Sequence, residues 1–408
     1  MRALSFLNLL RATAPRGARE VIAFGLVCIA GLVLVARLGD YPNDAGSAVA
    51  ALAVGSFRRA AAVPFLMGPL SIVIRAPFAW AADRVGASAL GVYRAGIVPC
   101  LLATYALGIV LAQRARARSG LDSLPLVVVV LATLSPASVA AVQMGHPEEA
   151  LGGALCVAAV MLAIGERPFW AGVTLGLAVA TKQWALVAVV PVVLAAPARP
   201  RRRLLLIAAA TAAVFYVPFV AGNPQAFLTA TRIEAHVESA ATPETIWLLA
   251  SHPKEVHVAG SPVLTYHALP RWVPPMSHAL IVVLGIPLGL ILWRRRLNTA
   301  DPLALLALVF LARCVLDPVD QDYFHLPFLL ALLAWEVVDG RLVRGLPVRT
   351  LTVSACLWLT FDLLQPHRVN AWLIDAVYLA WTGAVAFYLL GVLGVLRRPQ
   401  PGQVAVAA

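Results

Sequence analysis

Charged side chains are scarce in this chain. Asp, Glu, Lys and Arg make up 13% of its 408 residues, and Lys182 and Lys254 are its only lysines. A soluble protein of this length needs a largely polar surface, and a sequence that is 61% hydrophobic with a mean hydropathy of +0.84 cannot supply one. Cysteine is sparse as well. Cys28, Cys100, Cys156, Cys314 and Cys356 each fall inside an apolar run, without paired or metal-ligand spacing, so they read as packing residues and exclude a disulfide framework. No Walker loop, GxGxxG, HExxH or GxSxG occurs, which leaves soluble-nucleotide and protease chemistry without support. A net charge of +12 invites a nucleic-acid partner, but the arginines stand between apolar runs, where they set membrane orientation, and no nucleic-acid motif accompanies them.

What the sequence does have is repeated apolar runs of roughly 15–25 residues, the length of membrane helices. The fold expected is all-α: a single integral membrane domain over 1–408, a helical bundle of about twelve membrane helices. Arg2, Arg11, Arg16 and Arg19 precede the first run and resemble a signal peptide, but no small-residue cleavage site follows, so the run reads as a retained first helix at 20–38. Residues 39–91 read as an outer loop with interfacial helices, because a span at 60–74 would leave Arg114, Arg116 and Arg118 on the wrong side. Helices at 92–112, 124–141 and 150–165 follow. A hairpin of two short helices, 168–181 and 183–197, then places Lys182 near the outer side. Helix 203–221 exits into an outer loop or lid at 222–277, and helices at 278–293, 302–317, 323–338, 347–364 and 371–396 complete the set. Both termini are expected to be cytoplasmic in a plasma membrane, with Arg397 and Arg398 following the last helix. On this topology the acidic groups gather mostly at the outer face, together with both lysines and every histidine.

The candidate groups each carry two readings. Asp40 and Asp44, just outside the first helix, suit a general base for a hydroxyl nucleophile, Asp44 ahead of Asp40, or an ordinary polar turn with Asp44 as a cap. In Gly145-His146-Pro147-Glu148-Glu149, Pro147 and the glutamates suit a helix start, while His146, Glu148 and Glu149 together offer a metal-binding or hydroxyl-binding turn. Lys182 has no sequence neighbour to pair with, and reads as a phosphate ligand or as a snorkelling side chain. Gln183 and Trp184 beside it suit a sugar-like ligand, or, for Trp184, an interfacial belt. Arg313 and Asp317 are spaced to pair on one helix face, and Asp320, Asp322, Tyr323 and His325 follow as a cation or hydroxyl site or as a solvated loop. In the long loop, Arg232, Glu234, His236 and Glu238, and then His252, Lys254, Glu255 and His257, read as solvated segments with a substrate-facing alternative.

Several of these stretches carry a resemblance. Gly145-His146-Pro147-Glu148-Glu149, the run Ala171-Gly172 through Gly176 to Thr181-Lys182, Asp317-Pro318 with Tyr323, and the segment from Pro327 to Trp335-Glu336 are similar to the type-C glycosyltransferases. More narrowly they resemble the actinobacterial glycosyltransferase family 87 of polyprenol-phosphate-mannose-dependent mannosyltransferases, over about 120–350. The resemblance implies transfer of a hexose, mannose in that family, from a polyprenyl-phosphate sugar to a cell-envelope lipid or glycan acceptor at the outer face of the bilayer. It implies an aspartate base in the first outer loop, here Asp44 or Asp40, and a donor phosphate held by Lys182 with Arg58, Arg59 or Arg232. Asn43-Asp44-Ala45-Gly46 stands where the family carries an aspartate followed closely by paired tyrosines. No cofactor is firmly implied, and a divalent cation stays open. A transporter or flippase for lipid-linked sugars, or a non-catalytic envelope partner, is the rival. Polar groups along the whole bundle and an internal repeat would favour a transporter, and neither is evident.

Overall fold

The computed structural model describes residues 16–118, 121–236, 240–256, 264–293, 295, 297–367 and 369–396. Arg2, Arg11, Glu238, His257, Arg294, Arg296, Arg397 and Arg398 lie outside the described residues, as do the side chains of Arg16, Glu234 and His236.

Helix α1 (Arg16–Val35) leads through a short π-helical turn, Pro42–Gly46, to α2 (Ser47–Ala53), α3 (Phe57–Ala62) and α4 (Pro69–Arg84). The long α5 (Ala89–Arg118) is followed by α6 (Leu124–Thr133) and α7 (Pro136–Met144). These last two are one apolar rod broken where Ser135 leaves helical geometry ahead of Pro136, its hydroxyl accepting from the Ser138 N–H. Then come α8 (Glu148–Ile164), α9 (Pro168–Thr181), α10 (Val189–Ala195), α11 (Arg201–Gly222) and α12 (Pro224–His236). As the sequence implied, the 168–197 run breaks at Lys182, which is extended (φ −161°, ψ 139°).

Within the long loop, β1 (Ala240–Ala241), β2 (His252–Val256) and β3 (Leu264–Ala268) form an antiparallel sheet in the order β1-β3-β2. This small sheet is an addition to the all-helical expectation. The bundle closes with α13 (Val273–Trp293), α14 (Asp301–Leu316), α15 (Leu326–Asp339), α16 (Val348–Leu357) continued by a π-helical stretch Trp358–Leu364, and α17 (Ala371–Val392).

Among the described residues, six helices are long and apolar enough to cross a membrane: Gly17–Val35, Ala89–Arg118, Leu124–Met144, Arg201–Gly222, Val273–Trp293 and Ala371–Val392. Large apolar side chains stand bare on several of them, Val214 at 67%, Leu290 at 63% and Phe387 at 68% exposure, as lipid contact requires. The chain is a membrane protein. Helices expected at 150–165, 168–181, 302–317 and 323–338 are present but shorter than the roughly 20 residues a lone span needs, and Pro224–His236 adds a helix inside the expected outer loop. Two of these, α14 and α15, are buried on nearly every side, from Leu303 to Leu311 and from Leu326 to Val337. Helices enclosed by protein rather than lipid need not match the hydrocarbon thickness.

The loop is fastened to the end of α14 by hydrogen bonds. The Thr245 hydroxyl donates to the Asp317 carbonyl (2.8 Å), and the Trp247 indole N–H (2.6 Å) and the Ser277 hydroxyl (2.5 Å) donate to the Leu316 carbonyl. The last carbonyls of a helix lack partners within it, and these side chains supply them.

Candidate functional site

His146 is placed by two glycines that face one another. Gly145 ends α7 with φ +92°, and Gly39 follows α1 with φ +48°, both in the left-handed region that favours glycine. Between them the chain runs alongside itself: Arg37 N–H donates to the Val142 carbonyl (3.2 Å) and Asp40 N–H to the Met144 carbonyl (2.9 Å). A Cβ on Gly39 would sit 2.2 Å from the Met144 carbonyl carbon, and one on Gly145 2.6 Å from the Tyr41 nitrogen. The approach brings the loop carrying Asp40 and Asp44 onto His146.

Both nitrogens of that imidazole face carboxylates. Nδ1 is 2.8 Å from Glu148 Oε1, while Nε2 is 3.5 Å from Asp44 Oδ2 and 3.7 Å from Asp40 Oδ2. Burial alone would lower the His146 pKa, but the Glu148 charge and the interactions with Asp40 and Glu148 outweigh it and raise it to about 9. His146 is therefore an imidazolium at neutral pH, donating from Nδ1 to Glu148 and facing the two aspartates with Nε2 at ion-pair distance. The two aspartates diverge. Interaction with His146 lowers Asp40, whose side chain is 53% exposed, whereas burial raises Asp44, 15% exposed, against the opposing pull of His146. A carboxylate made more basic by its surroundings is the better proton acceptor, which separates Asp44 from Asp40.

Behind His146 lies a buried ion network that the sequence did not show. Lys182 is paired: Nζ lies 3.3 Å from Glu148 Oε1 and 3.0 Å from Glu149 Oε1. Its partners come from α8, far from it in sequence. Glu149 also accepts from Arg313 (3.2 Å) and from the Trp184 indole (3.0 Å). Arg313 thus reaches across to α8, while Asp317, just past the end of α14, still acts on it through its charge. Glu148 and Glu149 are fully buried, so they do more than start a helix. Tyr323 stacks on the His146 ring, centroids 4.6 Å apart and planes 11° from parallel, and Phe324 lies under Arg313 at 4.6 Å.

Arg75 was missed by the sequence reading. It sits on α4 with no exposed surface, its guanidinium 4.6 Å from the Tyr41 ring and 5.7 Å from that of Tyr93. Its Nη1 donates to the Met67 sulfur at 3.7 Å, and its Nε and Nη2 have no hydrogen-bond partner, nor does Glu148 Oε2. The signal was present as a lone arginine in an apolar stretch, Ser71 to Ala76, but a segment read as interfacial gave it no special weight.

Beside the network lies an open cleft lined by Val63, Phe65, Leu66, Met67, Gly68, Lys182, Gln183, Tyr216, Phe219 and Phe227, among others. Leu66 on its wall donates to the Asp44 carbonyl at 3.1 Å, so the aspartate loop borders it. Gln183 is exposed at the cleft, and Arg58 and Arg59 stand exposed on α3 within a turn of Ala61, another lining residue. Arg232 is exposed on α12, two residues from the lining Ala230. Asp320 is fully buried and 3.4 Å from His325 Nε2, and Asp317 is buried, so the 317–325 turn is not a solvated loop. Cys314, Asp320 and His325 form a separate group with metal-ligand donors.

The sequence profile of glycosyltransferase family 87 matches residues 65–318. That is more than half of the chain. The chain belongs to glycosyltransferase family 87. Membership makes it a membrane glycosyltransferase, which uses a sugar donor and an acceptor. The matched stretch holds Arg75, His146, Glu148, Glu149, Lys182, Gln183, Arg232, Arg313 and Asp317, while Asp40, Asp44, Arg58, Arg59, Asp320 and Tyr323 fall outside it. No curated protein matches the chain.

Proposed function

We propose that this glycosyltransferase moves a hexose, mannose by the family resemblance, from a polyprenyl-phosphate donor to a lipid or glycan acceptor of the cell envelope at the outer face of the plasma membrane. The acceptor oxygen attacks the anomeric carbon as Asp44 takes its proton, the bond from that carbon to the phosphate oxygen breaks, and polyprenyl phosphate leaves. One direct displacement inverts the anomeric centre.

The observation that carries this reading is the border between Asp44 and the cleft. The same cleft joins a mainly apolar and aromatic wall, suited to a prenyl chain, to the Lys182 ammonium and the Gln183 amide, suited to a phosphate and sugar. Since Lys182 is already held by two glutamates, its role is to offset part of the leaving group's charge from within a neutralised network. Asp40, more exposed and less basic, shares the loop as a second carboxylate that keeps His146 charged.

Transfer of radiolabelled mannose from polyprenyl-phosphate mannose in membranes tests the reading. Wild type is expected to transfer, and Asp44→Asn at equal expression to lose about 10²–10⁴-fold, the usual weight of a general base. Lys182→Ala is expected to lose part of the activity. Full activity in Asp44→Asn would move the base to Asp40 or Glu148, and no transfer from any polyprenyl-phosphate sugar would defeat the donor assignment.

A further inference from the structure

A second polar group lies under the loop that caps α14. Cys314 on the last turn of α14, Asp320 in the turn that follows and His325 just before α15 are all buried, and a donor atom from each lies within 4.8 Å of the other two. His325 Nδ1 is 3.3 Å from the Gln321 carbonyl, which can only accept, so Nδ1 carries the proton. Nε2 is then left with its lone pair toward Asp320 Oδ2 at 3.4 Å and the Tyr378 hydroxyl at 3.1 Å. A backbone carbonyl that fixes the tautomer in this way is what orients histidines that bind metals.

Two carboxylates here are buried with fewer hydrogen bonds than burial demands, although Asp320 Oδ1 accepts from the Gln321 N–H at 2.9 Å. Asp320 Oδ2 has no hydrogen-bond partner, and Glu244, on the loop that Thr245 pins to α14, has none for either oxygen at zero exposure. Glu244 is close enough for its charge to act on Asp320, and Asp317 adds to it. Asp375 and Asp322 act in turn on Glu244. Arg313 is the cation that reaches Asp320, and its guanidinium is already committed to Glu149. An excess of buried, under-bonded carboxylates calls for a cation or for protons.

We propose that Cys314, Asp320 and His325 bind a zinc ion. One thiolate, one neutral imidazole and one carboxylate match the ligand preferences of zinc, and the thiolate disfavours magnesium and calcium. Tetrahedral bonds of about 2.0–2.3 Å place ligand atoms roughly 3.3–3.8 Å apart, so these three donor atoms need a contraction of about 1 Å at their widest. The thiol proton is released on binding. The ion sits apart from the reacting atoms and acts on the turn between α14 and α15, which presents Tyr323 to His146 and Phe324 to Arg313.

Elemental analysis of tag-free, full-length protein in lipid nanodiscs tests this, independently of any transfer assay. About one zinc per chain is expected in wild type, falling severalfold in Cys314→Ser and in Asp320→Asn. Cobalt exchanged into wild type should give a thiolate-to-metal charge-transfer band that Cys314→Ser lacks. If a variant does not fold, the wild-type measurements decide alone. Protein that stays zinc-free after incubation with the metal, or cobalt bound without a thiolate band, overturns the site and leaves the carboxylates protonated. Zinc retained in full by folded Cys314→Ser and Asp320→Asn overturns it as well.

Discussion

Nε2 of His146 lies 3.5 Å from Oδ2 of Asp44, although one residue stands between α7 and α8 and the other in the first loop. The contact joins a charge present at neutral pH to the proposed base. Burial raises Asp44 and the imidazolium opposes that rise, so the basicity of Asp44 is a balance that a single substitution can move.

His146→Gln removes the charge that lowers Asp44. Its carboxyl then becomes harder to ionise, and the acidic limb of the transfer rate is expected to move to higher pH. A kcat/KM profile against pH reads this directly. An unmoved limb would show that His146 does not set the ionisation of the base.

The same histidine ties stability to pH. Its pKa in the folded protein, about 9, lies above its ordinary value of 6.5, so its contribution is complete below about pH 6.5 and is lost as pH rises through about 9. The melting temperature of wild type should fall across that window, and that of His146→Gln should stay level by comparison. Thermal unfolding at a series of pH values in one detergent distinguishes the two.

Glu149 serves Lys182, Arg313 and Trp184 at once. Glu149→Gln leaves two buried cations under-compensated, and a cost of about 3–5 kcal/mol is expected. Denaturation of the purified variant, or its yield in membranes, checks this. A loss below about 1 kcal/mol would mean that the cations find other partners.

Arg75 carries unpartnered donors inside the bundle, one residue class away from a neutral core filler. Arg75→Met keeps the volume and removes a buried charge, so the fold is expected to hold or gain stability. If the free donors of Arg75 serve the anionic donor substrate, the variant raises KM for polyprenyl-phosphate sugar more than it lowers kcat. Unchanged kinetics would assign Arg75 to packing against Tyr41 and Tyr93.

Gly145→Ala forces a side chain into a left-handed turn already in contact with Tyr41. Backbone strain of about 1–3 kcal/mol is expected. Because the same turn aligns His146 with Asp40 and Asp44, transfer should fall further than the stability loss accounts for. Comparing activity with the folded fraction at one temperature separates the two effects.

What the sequence determined by itself was everything that depends on local pattern. Apolar run length marked the six long apolar helices, and a lysine inside an apolar run marked the break at Lys182, while the break ahead of Pro136 fell inside the helix read over 124–141. The dense turn at His146 to Glu149 was legible because so many ionisable groups are costly at a bilayer edge. The partners of those groups were not legible. Lys182 meets Glu148 and Glu149, Arg313 meets Glu149, and Thr245 binds the end of α14 only because separate helices pack side by side and the capping loop folds back on α14. Pairing between distant segments leaves no periodic trace in a single chain, since a buried charge looks the same in sequence whatever neutralises it. Tertiary structure decided how the surroundings of Asp40 and Asp44 differ, because that depends on distance and burial rather than on residue type.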